Sequence, residues 1–329
     1  MSLYKNNCII LTLLFFFILA FISQCGHKTE IENYRQCSKI CFSSDNSESL
    51  FVIREYRDRG NDYLLGVHPD TLRTYILKAS QIRCDEMSFI EMHKKYGSTN
   101  YVKMLTYAEK NSGPLQNSGI TRFSKAETGV YLTADLCPSK FPLDRKLFTA
   151  IIEEYSKTGK PVPIGLAVTG LWMEKHTEEI IWLKSLEKKS LLTITWINHS
   201  YNHYYNKKLP LENNFLLRDG TDIQMEVLNT EKKMLELGLT PSVFFRFPGL
   251  VSNKNLFLKI TGYGLIPVGS DAWLAKNQMP KKGSIILVHA NGNEPAGISI
   301  FIKLIQNKKK NIINKTWLLN DLRESASQL

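Results

Sequence analysis

The stretch Leu191-Leu192-Thr193-Ile194-Thr195-Trp196-Ile197 runs directly into Asn198-His199-Ser200-Tyr201-Asn202-His203. Its first half is apolar and β-branched, which predicts a buried strand. The strand stops at Asn198, and two histidines four residues apart follow at once. At that spacing two neutral imidazoles can reach one divalent ion, from a helical turn or from a tight loop. Alone, the H-x-x-x-H pattern is a weak signal, more often a surface or core polar pair than a metal site. Its place at the end of a strand gives it weight, because active sites of α/β folds gather there.

The same texture repeats on both sides. Upstream, Val130-Tyr131-Leu132-Thr133-Ala134 predicts a strand with Asp135 at its end, broken by Leu136-Cys137-Pro138-Ser139. Pro163-Ile164-Gly165-Leu166-Ala167-Val168-Thr169 predicts a second strand. Helices predicted over 143–155 and 177–188 separate these strands from one another and from the histidine strand, the alternation expected of parallel βα units. Downstream, a polar loop from Tyr204 to Gly220 leads to a helix whose start reads as the capping box Thr221-x-x-Gln224 and whose end falls at Gly238. Three more short apolar runs follow. They deliver Arg246-Phe247-Pro248-Gly249, then Ser270-Asp271-Ala272-Trp273, then His289-Ala290-Asn291-Gly292-Asn293-Glu294. Bland readings exist for each group: Asp135 and Asp271 as caps, Arg246 as a structural ion-pair residue, Glu294 as loop bracing. His289 is the hardest to explain by packing, since a buried unpaired imidazole is costly.

At 329 residues, with 43% hydrophobic and 22% charged, the chain can build one large domain and a smaller one. The formal net charge of +11 favours anionic partners. The lysines are scattered apart from Lys308-Lys309-Lys310 and are not interleaved with aromatics, so a solvated surface is expected rather than nucleic-acid binding. Lys5, the apolar run from Cys8 to Ile22 and Ser23-Gln24-Cys25-Gly26 predict a secretory signal over residues 1–25, with a lipidated Cys25 or an uncleaved membrane anchor as alternatives. Each route implies export. In an oxidising compartment Cys37, Cys41 and Cys84 can supply one disulfide. Residues 27–50 read as a linker, Leu50 to Ile82 as a small sheet or hairpin element, and Ser88 to Glu109 as a helix. Residues 26–120 therefore form a small α+β accessory region, and 121–329 the principal domain.

Collected, the strand-end residues resemble the motifs of the polysaccharide deacetylases, the NodB-homology domain of carbohydrate esterase family four, over about residues 121–310. Leu132-Thr133-Ala134-Asp135 resembles the first motif and Asn198–His203 the second. Arg246-Phe247-Pro248-Gly249 resembles the third, Asp271-Ala272-Trp273 the fourth and Leu287-Val288-His289 the fifth. Val168-Thr169-Gly170-Leu171-Trp172 is similar to the family's second strand and its loop. The resemblance implies a distorted (β/α) barrel and a divalent metal, usually zinc, bound by His199 and His203. It makes Asp135 the catalytic base, oriented by Arg246, and His289 the general acid, supported by Asp271. Trp273, Trp172 and Pro248 become candidate substrate contacts.

Leu136 departs from the pattern. The family usually has a second, metal-binding aspartate there, and leucine cannot bind a cation. Either Asp135 moves to metal duty, or another acid such as Glu294 enters, or the metal is weak or absent. Gly249 stands where an aromatic is common, which predicts a changed substrate wall. The expected function is metal-dependent removal of N-acetyl or O-acetyl groups from an exported polysaccharide or peptidoglycan-like glycan. A degenerate glycan-binding protein and an amidase on a non-glycan amide are the alternatives.

Overall fold

The computed structural model describes residues 30–42, 49–126 and 128–329. The predicted signal or anchor over 1–25, with Cys25, lies outside the described residues, as does the serine-rich stretch 43–48. Among the described residues no helix is long and apolar enough to cross a membrane.

Two sheets carry the chain. The first is antiparallel, built from β1 (Ile31–Phe42), β2 (Ser49–Asp58), β3 (Asn61–Val67), β4 (Thr74–Lys78) and β5 (Arg83–Glu86) in the order β4-β3-β2-β1-β5. The linker expected over 27–50 is thus a twelve-residue strand across 31–42. Its many charges read as a solvated tether, but they pair across the sheet. Arg35 and Lys39 meet Glu55 at 2.6 and 3.0 Å, and Lys39 also reaches Glu86 at 3.1 Å. Cys41 and Cys84 face each other in register and form a disulfide, while Cys37 is free. The helix expected over 88–109 divides into α1 (Phe89–Lys95), started by a capping box of Ser88 and Glu91, and α2 (Asn100–Glu109).

The second sheet is parallel throughout and curled into a half-barrel. Along the chain come β6 (Tyr131–Leu136), α3 (Arg145–Tyr155), β7 (Val162–Val168), α4 (Gly170–Lys175), α5 (Thr177–Lys188), β8 (Leu192–Asn198) and α6 (Ile223–Glu236). They are followed by β9 (Phe244–Phe245), α7 (Lys254–Gly262), β10 (Ile266–Pro267), β11 (Ala272–Trp273), β12 (Ile285–His289), α8 (Pro295–Asn307) and α9 (Lys309–Ile313). The strand order is β10-β9-β8-β7-β6-β12-β11, so the sheet is open between β10 and β11. At the start of α6 the cap is Asp222, whose carboxylate accepts from Met225 N, rather than the Thr221 box read from sequence.

The parallel strands are apolar on both faces because both are covered. One face packs on α3, α5 and α8 through Leu132, Leu147, Leu183 and Phe301. The other shares a core with the antiparallel region, where Ile53 and Tyr101 meet Phe244, Phe257 and Val268. Hydrogen bonds reinforce the junction at the carboxyl end of α7. Gln36 Nε2 donates to Gly262 O at 2.5 Å, Arg54 Nη1 to Tyr263 O at 2.6 Å and the Tyr101 hydroxyl to Gly264 O at 2.6 Å. Three successive carbonyls that the helix leaves free are thereby satisfied.

Candidate metal centre and catalytic pocket

Register brings the strand-end residues together. In the parallel sheet His289 is the direct partner of Asp135, Asp135 of Ala167, Val168 of Asn198 and Asn198 of Phe245. Neighbouring strands lie about 4.8 Å apart, so residues separated by up to 154 positions end at one rim. A cleft of about 640 Å³ opens there, lined by Asp135, Cys137, His203, Phe215, Trp273, His289 and Glu294 among others.

Side chains alternate along β6. Asp135 and Cys137 face the cleft, while Leu136 between them is fully buried in the core under the helices. Asp135 is almost fully buried. Its Oδ1 accepts from Arg246 Nη1 at 3.1 Å, and its Oδ2 lies 3.5 Å from His199 Nε2. Arg246 also donates through Nη2 to Thr133 Oγ1 at 3.0 Å and to Gly269 O at 3.1 Å.

The two histidines sit on a tight turn with Ser200 and His203 at φ of 67° and 49°, in the left-handed region that side chains rarely adopt. Carboxylates of α6 hold that turn. Glu226 Oε2 accepts from the backbone N–H groups of Tyr201 and Asn202 at 2.7 and 2.9 Å, and its Oε1 from the Asn202 amide at 2.7 Å. His199 Nδ1 lies 2.8 Å from Arg246 O, a carbonyl that can only accept, so Nδ1 carries the proton and Nε2 offers a lone pair. Burial pushes His199 below its ordinary pKa, which keeps it neutral. His203 Nε2 is buried with no hydrogen-bond partner. The ligand atoms of Cys137, His199 and His203 all lie within 4.8 Å of one another.

That set fits a divalent ion. Zinc bonds of about 2.3 Å to sulfur and about 2.05 Å to nitrogen, at tetrahedral angles, put the two donors about 3.6 Å apart, and Cys137 Sγ is 3.6 Å from His199 Nε2. Burial alone would push the Cys137 thiol up. The neighbouring charge and hydrogen bonds of His203 and His289 outweigh it and bring the thiol down to about 7, toward the thiolate that a metal requires. Cys137, not Asp135, is the third member of the group. Sequence reading passed it over as part of a strand break. Its signal was the spacing of two from Asp135, which in a strand means the same face.

Opposite stands His289, whose Nδ1 is 2.8 Å from Glu294 Oε2, an ion-pair distance off the angle of a well-formed hydrogen bond. Burial works against its charge, but Cys137, Glu294 and Asp135 raise the imidazole well above its ordinary value. Trp273 Nε1 donates to the same Glu294 oxygen at 2.7 Å, and Lys276 Nζ lies 3.6 Å over the indole ring.

No protein-family model matches the chain. The solved structures similar to it include family 4 carbohydrate esterases. One from Bacillus anthracis is 18% identical, with 68% of this chain and 91% of that one covered and a TM-score of 0.47. PdaA of Bacillus subtilis, a family 4 carbohydrate esterase, is 15% identical over 68% and 88% of the two chains, with a TM-score of 0.46. A family 4 pseudoenzyme from Bacillus anthracis is 15% identical over 62% and 67%, with a TM-score of 0.41.

Three positions read from the family 4 motifs sit differently from expectation, and a fourth, Gly249, has the changed wall that was expected. Asp271 does not support His289. The register of β11 on β12 sets it level with Ile285, four residues before His289, which is about 13 Å along a strand. Its Oδ2 instead accepts from Ser284 at 3.1 Å, and Glu294 takes the place beside the imidazole. Trp172 is fully buried and stacked on His176 with ring centroids 4.9 Å apart, so it packs the core and meets no substrate. Pro248 is also buried, and the cleft is lined instead by its neighbours Gly249 and Leu250. At Gly249, with φ of 59°, an added Cβ would lie 2.4 Å from the Phe215 ring. Phe215 fills the space that an aromatic at 249 would need, and it stacks on Tyr205 and meets His203 edge to face. Nothing in the sequence marked Phe215, because it arrives from the polar loop.

Proposed function

We propose that the chain is a metal-dependent hydrolase that removes N-acetyl, or O-acetyl, groups from an extracytoplasmic polysaccharide or peptidoglycan-like glycan, with zinc as the metal. The observation that carries this reading is the trio Cys137, His199 and His203, three converging donors at zinc-compatible spacing, across the cleft from an imidazole paired with a carboxylate. When bound, a divalent ion supplies Lewis acidity toward the acyl carbonyl and toward water. Asp135 has one oxygen fixed by Arg246 and the other turned to His199. It accepts the proton of the attacking water, and the arginine keeps it aimed. His289 gives a proton to the departing amine or alkoxide, and Glu294 stabilises its charged form. Trp273 walls the pocket and steadies Glu294. The Cys41–Cys84 disulfide supports an oxidising, exported location, reached through the N-terminal apolar run either as a cleaved signal or as a membrane attachment.

The test is metal content together with acetate release from acetylated chito-oligosaccharides and peptidoglycan fragments. The purified chain is expected to hold one zinc. His199→Ala should lose it and Cys137→Ser should hold it less tightly, with turnover down on the order of 10³-fold, several kcal/mol of lost stabilisation. A metal-loaded chain that binds glycan and frees no acetate is a binding protein, and the hydrolase reading then fails.

A further inference from the structure

The buried polar network behind the histidine turn starts in the other sheet. Arg54 of β2 is fully buried, as is Glu231 of α6. Arg54 Nε donates to Glu231 Oε2 at 2.6 Å and Nη2 to Oε1 at 3.0 Å, a bidentate pair. Its Nη1 donates to Ile53 O and Tyr263 O, so the guanidinium also bridges the two regions through backbone. Tyr34 of β1 adds a hydroxyl on Glu231 Oε2 at 2.8 Å. On its far side Glu231 Oε1 accepts from Asn198 Nδ2 at 3.3 Å. Asn198 also donates to Val227 O at 3.0 Å and accepts from Ser200 N at 3.0 Å. It is the last residue of β8, next to His199, and the bond to Ser200 fixes the first strained residue of the turn.

We propose that Arg54 and Glu231 are positioning residues for the histidine turn, so that the antiparallel sheet acts as a brace for the site and not as a separate appendage. The proposal rests on the reading of that turn as part of a metal centre. Without Arg54, Glu231 is a buried carboxylate with no countercharge, and it draws Asn198 or water toward itself. Without both, the Asn198 amide keeps Val227 O and loses its second acceptor, so the oxygen that receives Ser200 N is held less firmly.

A buried ion pair replaced as a unit by apolar residues of similar volume often keeps its stability, so the double variant Arg54→Met/Glu231→Leu separates bracing from folding. In histidine-labelled protein, the ¹⁵N resonances of His199 and His203 are expected to shift while those of His68 and His93 stay in place. Turnover should fall roughly tenfold, as is usual when groups behind a metal ligand are lost, with KM changed less than about twofold. Glu231→Gln, which keeps the volume, should move the same two imidazoles less, and it serves if the double variant does not fold. Folded variants with wild-type imidazole shifts and wild-type turnover would overturn the proposal. Cobalt(II) binding to the wild-type chain, read by its thiolate charge-transfer band, tests the metal centre by itself. If no cobalt binds, that reading fails, and the imidazole shifts still decide this one.

Discussion

Each of the two sheets contributes a fully buried arginine paired with a buried carboxylate, and the two pairs differ in how completely they are satisfied. Arg54, on the antiparallel sheet, places Nε and both terminal nitrogens on acceptors. Arg246, at the end of β9, reaches Asp135, Thr133 and Gly269 but leaves its Nε without a partner. Burial works against the charge of both. Beside Glu231 the Arg54 guanidinium still stays above its ordinary pKa, whereas Arg246 falls below. A closed network holds a junction together, while an open one leaves polar capacity for something else. Orphaned polar atoms are also spread unevenly, with Tyr155, Trp172, Ser252 and Asp271 carrying further ones elsewhere in the parallel region. Among the described residues Asp58 is the one such side chain in the antiparallel sheet, whereas Ser200, His203, Arg246 and His289 cluster at the carboxyl rim of the parallel sheet.

The comparison breaks most visibly at Arg246. Arg246→Met would leave Asp135 buried with no countercharge, and removing one partner of such a pair costs about 3–5 kcal/mol. Urea unfolding should show that loss, and acetate release should vanish with it. A loss under about 1 kcal/mol would mean that water enters the rim freely and that the pair is not a buried one in solution.

The antiparallel sheet should respond differently. Its covalent tie, Cys41–Cys84, closes a span of 43 residues. Replacing both cysteines by alanine should cost about 2–4 kcal/mol through the entropy of the unfolded chain, again read by urea. Zinc content of the folded protein should not change, because the brace to the histidine turn runs through Arg54 and not through the disulfide. If the variant stays folded and loses its metal, the two regions are coupled by more than that brace.

Where the sequence was legible, chemistry and periodicity agreed. The apolar run into His199 could only be a covered strand, and the groups at its end and at the ends of β6, β9 and β12 marked one rim. What stayed hidden was set by partners far along the chain. The strand 31–42 reads as polar tether because its charges find Glu55 only once β2 lies beside it. Arg54 is one cation after four apolar residues, and only the approach of α6 makes it a bridge. Glu294 and Phe215 reach the cleft from loops, whose paths periodicity does not encode. Asp271 was misplaced for a related reason: a motif gives order along the chain but not the register of β11 on β12.

The smallest effect should come from Trp273, where the open network meets solvent. Its Nε1 and the His289 ring share one oxygen of Glu294, at 2.7 and 2.8 Å. Trp273→Phe keeps an aromatic wall and removes only the N–H, so Glu294 gains freedom to turn away from His289. One hydrogen bond of this kind is worth about 1 kcal/mol, which corresponds to a fall of roughly fivefold in kcat/KM. Stability should move little, because the side chain is only partly buried and the aromatic ring is kept. Trp273→Ala takes away the wall as well and should lower kcat/KM further, chiefly through KM. If the phenylalanine variant matches wild type while the alanine variant is impaired, the indole matters as a surface alone, and Glu294 needs no help in holding the imidazole.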